Sequence, residues 1–183
     1  MNGEKPILDA CCGSRMFWFN NKHPDVLFVD NRKLVDAAIW KSTKNGAVRY
    51  CTVNPDVVAD FRNLPFRSGS FWHVVFDPPH LIHVGDNAWM CKKYGKLHAE
   101  WEQYIHDGFS ECWRVLRPYG TLIFKWNECQ IPVKNVIAAI GKEPLYGHRS
   151  GKQSKTHWMA FVKIECELNE LEELEKEEKT ENE

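Results

Sequence analysis

The densest concentration of chemistry in the chain is Asp77-Pro78-Pro79-His80, which follows the apolar run Val74-Val75-Phe76. Two prolines after an acid cannot continue a strand ladder, and they stiffen the turn they form. A rigid turn fixes the Asp77 carboxylate and the Pro78 carbonyl as a pair of acceptors. Such a pair holds the two N–H groups of an aromatic amine and aims its lone pair at an electrophile. His80 then takes the place where a ring stacks on the target.

Three further acids each close an apolar run. Asp9 is followed by Ala10-Cys11-Cys12-Gly13-Ser14-Arg15, small residues that let a ligand approach the backbone, with a helix N-terminus expected behind them. Asp30, with Asn31 beside it, lies 21 residues beyond Asp9, where an acid accepts from the two hydroxyls of a ribose. Asp60 precedes Phe61, offering an acceptor for an amino group and a ring face for a planar base. Any one of these acids also reads as an ordinary cap after a strand; together they suit an adenosine moiety. There is no G-x-G-x-x-G and no G-x-x-x-x-G-K-[ST], which weakens a dinucleotide reading and leaves NTP hydrolysis without support.

On the acceptor side, the segment from Leu81 to Leu97 interleaves Trp89, Lys92, Lys93, Tyr94 and Lys96. Basic and aromatic residues so mixed suit a single-stranded or flipped-out nucleic acid, and equally a lid over any substrate. Lys125 and Trp126 end another apolar run, and Lys125 with Glu128 offers a second chemistry, a lysine that eases deprotonation of a hydroxyl. His148, Arg149, Lys152 and Lys155 form a further basic cluster suited to phosphates. Asp77, His80 and His83 crowd one proline turn too tightly for good metal geometry, so no metal is expected. Cys11 and Cys12 have no adjacent base and read as packing residues.

The elements that must position these residues are short. Pro6–Cys11, Asp25–Asp30, Val57–Asp60, Trp72–Asp77 and Thr121–Trp126 read as five strands, apolar enough to be covered on both faces. Leu97, Trp101, Ile105, Phe109, Cys112 and Leu116 recur every three or four residues and predict a helix from about His98 to Leu116. Arg117-Pro118-Tyr119-Gly120 stops it, and a weaker helix spans Pro132–Ile140. Pro144–Arg149 and His157–Ile164 are strands joined by only Ser150-Gly151-Lys152-Gln153-Ser154-Lys155, too short a link for a crossover helix, so they form an antiparallel hairpin.

The string DACCGSR, VDNR, ADFRNLPF, VVFDPPH and VLRPYGTLIFKW resembles the class I S-adenosylmethionine-dependent methyltransferases, most of all the compact single-domain phage and bacterial type. The resemblance implies a doubly wound α/β, Rossmann-like sheet of about seven strands with the last antiparallel. It implies S-adenosylmethionine as cofactor, with Asp9, Cys11 and Gly13 on its methionine and ribose part, Asp30 and Asn31 at the ribose, Asp60 and Phe61 at the adenine, and Asp77 beside the reacting end. The DPPH turn is similar to the [DNS]-P-P-[YFW] motif of enzymes that methylate exocyclic amines of nucleobases. By that likeness Asp77, Pro78, Pro79 and His80 are catalytic, and His80, Trp89, Lys92, Lys93, Lys125 and Trp126 meet the substrate, adenine N6 being the simplest target. The alternatives are a ribose 2′-O or small-molecule methyltransferase, or a silent binder of the cofactor. Two departures stand out: Gly13-Ser14-Arg15 replaces the family's Gly-x-Gly, and a histidine occupies position 80.

Composition agrees with one domain. The 183 residues are 43% hydrophobic and 27% charged, a globular balance. Residues 1–164 carry 22 Lys and Arg against 15 Asp and Glu, whereas residues 165–183 carry ten Glu and two Lys. A basic methyltransferase domain (1–164) with an acidic tail, helical or disordered, suits DNA or RNA as partner, with a protein partner for the tail as a further expectation. A core of this size leaves no room for a separate target-recognition domain. Seven cysteines without a C-x-x-C pair, no apolar run of membrane-spanning length and no leader lead to the expectation of a cytoplasmic protein off the membrane.

Overall fold

The computed structural model describes residues 5–151 and 154–164. The acidic tail and Lys152 lie outside the described residues. Seven strands form one sheet: β1 (Ile7–Asp9), β2 (Val26–Asp30), β5 (Val57–Val58), β6 (Phe71–Phe76), β7 (Leu116–Asn127), β8 (Tyr146–Arg149) and β9 (Thr156–Val162). Their order is β5-β2-β1-β6-β7-β9-β8. All pairings from β5 to β7 are parallel, and β9 runs antiparallel to both β7 and β8. This is the expected α/β sheet with its antiparallel end. The expected five strands, the closing hairpin and both helices all form, with ends displaced by a few residues.

The helices are α1 (Trp89–Tyr94), α2 (Trp101–Val115) and α3 (Val133–Ile140). The apolar stripe of α2 does what its spacing predicts. Ile105, Phe109 and Cys112 are buried with Leu8, Val74, Phe76, Leu122, Phe124 and Phe161 from the sheet and Val136 and Ile140 from α3. A smaller cluster of Cys12, Val26 and Phe28, covered by Trp18, lies apart from that core.

Three expectations are corrected. No helix follows β1: residues 10–25 run as successive turns, so Gly13 has no helix dipole behind it. Nor is β7 covered on both faces, since its burial alternates from Thr121 to Asn127. Leu122, Phe124 and Trp126 enter the core while Ile123 and Lys125 remain half-exposed, the pattern of a strand packed on one side. Finally, Arg117-Pro118-Tyr119-Gly120 belongs to β7 as a bulge. Phe71 pairs with Leu116 and His73 already with Thr121, and Tyr119 takes φ of 61° to absorb the extra residues.

One element is new. Between β2 and β5 the chain makes a separate antiparallel ribbon, β3 (Leu34–Lys41) with β4 (Val48–Val53). Ile39, Cys51 and Val53, with Leu34 against them, give the ribbon its own small apolar cluster. The signal was present in the sequence: Asn45-Gly46, a strong hairpin pair, lies between two runs rich in β-branched and aromatic residues.

Candidate active site

The carboxyl ends of β1, β2, β6 and β7 surround a cavity of about 510 Å3. At such an edge the strands stop hydrogen-bonding each other, which leaves terminal side chains and loop backbone to face a ligand. Asp9, Asp30, Asp77 and Lys125 line it from these four strand ends, together with Cys11, Gly13, Asn31, Phe61, Pro78, Pro79, His80 and Lys93. A ligand here faces three acids within one enclosure.

Asp9 is almost fully buried. Trp18 Nε1 donates to its Oδ2 at 2.7 Å and the Cys11 amide to its Oδ1 at 3.4 Å. Burial nonetheless pushes its carboxyl up to about 7, with the charges of Asp77 and Asp30 adding to the rise. Asp30 is the most fully engaged of the three. Its oxygens accept from the amides of Gly13 and Arg32, both at 2.9 Å, and from the Arg32 guanidinium at 3.0 and 3.3 Å. Four donors use the whole acceptor capacity of a carboxylate, so hydroxyls reach Asp30 only by displacing the Arg32 fork.

Arg15 explains how the chain dispenses with a second glycine. Its φ is 56°, a left-handed conformation that costs a non-glycine residue about 1 kcal/mol or more. The guanidinium offsets that cost, donating to the carbonyls of Asn21 (3.0 Å) and Asn54 (2.6 Å) and to Asp56 (2.9 Å) while lying 3.9 Å over the Phe28 ring. Arg15 therefore structures the turn and does not line the cavity.

The Asp77 turn is braced from both sides. Gln130 Oε1 accepts from the amides of Ile82 and His83 at 2.7 and 2.8 Å. Gly95, with φ of 81°, passes so close that a Cβ there would lie 2.9 Å from Pro79 Cγ. The segment from Leu81 to Leu97 is pinned at its base by the Leu97 amide on the Leu81 carbonyl (2.8 Å). It carries α1 over the cavity, and Lys93, Tyr94 and Lys96 line the wall.

Where β6 and β7 end, Lys125 Nζ donates to Asp77 Oδ2 at 2.6 Å. The same ammonium lies 5.9 Å from the Phe17 ring and 5.6 Å from the Trp158 ring, and these two rings are 5.0 Å apart. Register explains the placement, because Trp158 on β9 is directly opposite Lys125 on β7. Phe17 and Trp158 escaped the sequence reading, one in an irregular loop and the other in an antiparallel strand with no motif. Tyr104 also lines the cavity, its ring 5.0 Å from Phe61; it sits one turn from the stripe that marked α2. His80 lines the cavity too, and burial lowers its pKa and favours the neutral imidazole.

Four sequence candidates are not on the cavity wall. Trp126 is fully buried, its Nε1 donating to the Ile131 carbonyl at 3.0 Å; strand alternation turns it into the core while Lys125 faces the ligand. Asp60 is held by Arg62, whose guanidinium approaches to 2.7 Å and lowers its pKa. Trp89 lies on α1, 6.4 Å from Tyr94. Lys92 faces a neighbouring cavity and lends its carbonyl to Arg32 at 3.3 Å. Glu128 is engaged by Arg149 at 2.8 Å and His157 at 3.0 Å. Among the described residues, no helix is long and apolar enough to cross a membrane.

Neither a protein-family model nor a curated protein matches the sequence. Solved structures do. The chain superposes on the PH0226 protein of Pyrococcus horikoshii with a TM-score of 0.50 at 15% identity, over 88% of this chain and 83% of that one. It superposes equally on an S-adenosylmethionine-dependent methyltransferase of Methanosarcina mazei, with a TM-score of 0.50 at 12% identity, over 90% and 94% of the two chains. At that identity the likeness defines the fold alone: this chain has the Rossmann-like α/β architecture of those two structures.

Proposed function

We propose that this chain is an S-adenosylmethionine-dependent methyltransferase acting on an exocyclic amino group of a nucleobase in DNA or RNA, with adenine N6 the simplest target. The observation that carries the reading is the sharing of one cavity by the strand-end acids Asp9 and Asp30 and the Asp77-Pro78-Pro79-His80 turn. The donor set fits the cofactor. A sulfonium and an ammonium are cations, and an acid whose carboxyl is pushed up to about 7 chiefly by burial, with the charges of Asp77 and Asp30 adding, gains from a cation beside it. Phe61 and Tyr104 form the corner for the adenine, Asp30 and Asn31 the ribose end, and Asp9, Cys11 and Gly13 the methionine end. Bound S-adenosylmethionine supplies an electrophilic methyl group.

The chain's residues do the rest. Asp77 and the Pro78 carbonyl hold the amine N–H groups, and a fixed pair of acceptors stabilises positive charge building on nitrogen. Neutral His80 and the Phe17–Trp158 pair give faces on which a planar base stacks without adding repulsive charge. The test is incubation with methyl-labelled S-adenosylmethionine and unmodified DNA, total RNA or a metabolite extract. Label in an exocyclic methylamine of one polymer is expected, reduced by about a hundredfold or more in Asp77→Ala. Absence of cofactor binding overturns the reading.

The 2.6 Å contact of Lys125 with Asp77 favours a second reading, methylation of a ribose hydroxyl. In it Lys125 eases departure of the hydroxyl proton. Label on ribose oxygen, lost in Lys125→Met, selects it over the first.

A further inference from the structure

We propose that the β3–β4 ribbon is the docking surface for the single-stranded polynucleotide that carries the target, an inference resting on the nucleic-acid reading above. The ribbon takes no part in the seven-stranded sheet, and its buried cluster is self-contained. Its outward residues are unusual for a mere connection. Residues 33–53 hold Lys33, Lys41, Lys44 and Arg49 against a single acid, Asp36, which exchanges hydrogen bonds with Thr52 across the ribbon (3.0 and 3.2 Å). Trp40 is 41% exposed and Tyr50 62%. Large exposed rings among cations are the pairing used to stack unpaired bases while following a phosphate backbone. The Arg49 guanidinium carbon already lies 5.2 Å from the centre of the Trp40 ring, so a cation and an aromatic face are offered together.

The ribbon is also placed to deliver a strand to the site. A cavity of about 570 Å3 separates it from α1, lined by Ala37 and Ile39 on one side and Cys91 and Lys92 on the other. Arg32 and Lys96 border both this cavity and the one that holds Asp77. A chain laid along the ribbon therefore meets Lys92, then Lys96 and Arg32, which are now paired with Asp86 (2.8 Å) and Asp30 (3.0 Å) and would exchange those partners for phosphates. Stacking rings favour a single strand over a duplex, whose bases are already stacked on each other and offer a ribbon only groove edges and phosphates.

The test is fluorescence anisotropy with a labelled single-stranded RNA or DNA of about 20 nucleotides, long enough for one such surface, and a duplex of the same sequence, using the full chain. Trp40→Ala/Tyr50→Ala is expected to weaken single-strand binding about tenfold or more. Lys41→Ala/Lys44→Ala/Arg49→Ala is expected to flatten the slope of log affinity against log salt by about two. Both variants should keep the wild-type melting temperature and wild-type methyl transfer to a free nucleoside. Wild-type affinity and salt slope in both variants overturn the proposal. So does preference for the duplex, or displacement of the oligonucleotide by a peptide of residues 165–183 whose binding ignores the ring substitutions. Intact oligonucleotide binding without transfer to any acceptor sinks the enzymatic reading instead and leaves the ribbon's role standing.

Discussion

Asp9 shows how the burial of one carboxyl can be turned into a measurement. Its pKa in the folded chain is about 7 against 3.8 for the free side chain, chiefly through burial. Between those two values the folded protein binds a proton that the unfolded chain has lost. Stability from this group is therefore greatest below about pH 4, falls by at most about 1.4 kcal/mol per pH unit as pH rises through the window, and is flat above it. Thermal melts of the wild type and Asp9→Asn should diverge accordingly, the wild type losing ground between about pH 4 and pH 7. A ligand bringing positive charge reverses the shift. Binding of S-adenosylmethionine near pH 6 is expected to release about one proton, and near pH 8.5 almost none, as read by calorimetry in buffers of different ionisation enthalpy. Equal heats in all buffers at pH 6 would place the cation elsewhere. The acid at this position was legible in the sequence because it ends a strand. Its protonation was not, because that depends on Trp18, Asp30 and Asp77, which only the fold brings near.

At the level of elements, α2 governs the shape of the cavity wall around Phe61 through Gly108. A Cβ there would lie 2.5 and 2.6 Å from two atoms of the Phe61 ring and 2.9 Å from Phe76 Cζ. Alanine is the better helix former by about 1 kcal/mol, but overpacking two rings in a closed core costs about 1–3 kcal/mol. Since Phe61 stands edge-on to both Phe76 and Tyr104, it has little room to retreat, and overpacking should win. Gly108→Ala is expected to lower the melting temperature by about 3–6 °C and to weaken cofactor binding through the displaced Phe61; an unchanged melt would show that the helix simply shifts. The sequence revealed α2 by its stripe but not why its eighth residue has no side chain. Periodicity reports which face is buried, and it is silent on the clearance left beneath it. The same limit explains Trp126. An aromatic next to Lys125 looks like a ligand contact until alternation along β7 assigns the two residues to opposite faces. The ribbon is a case of the opposite kind: Asn45-Gly46 marks its hairpin locally, but its separation from the main sheet depends on pairing that no local pattern reports.

For the whole molecule, the proposed function implies that charge separates the part that meets an acceptor from the part that acts on it. A net charge near zero hides 22 cationic residues against 15 anionic ones in residues 1–164. Lys93, Lys96 and Lys125 line the cavity at the sheet edge, and Arg32, Lys92 and Lys96 line the neighbouring cavity beside the ribbon. Such a field raises encounter with a polyanion and is screened beyond about 8–10 Å at moderate salt. Neutralising about three phosphates should make kcat/KM on a single-stranded polynucleotide fall about twentyfold between about 50 and 200 mM salt. Transfer to a free nucleoside, which has no phosphate to be screened, should change little over the same range. The comparison is internal, because under the proposed function both substrates would use the same Asp77 turn and the same cofactor, so a general effect of salt on the fold would depress both equally. Parallel decline would therefore assign the sensitivity to the catalytic cavity itself, and a flat response on both would mean that the basic side of the molecule does not meet the acceptor during turnover.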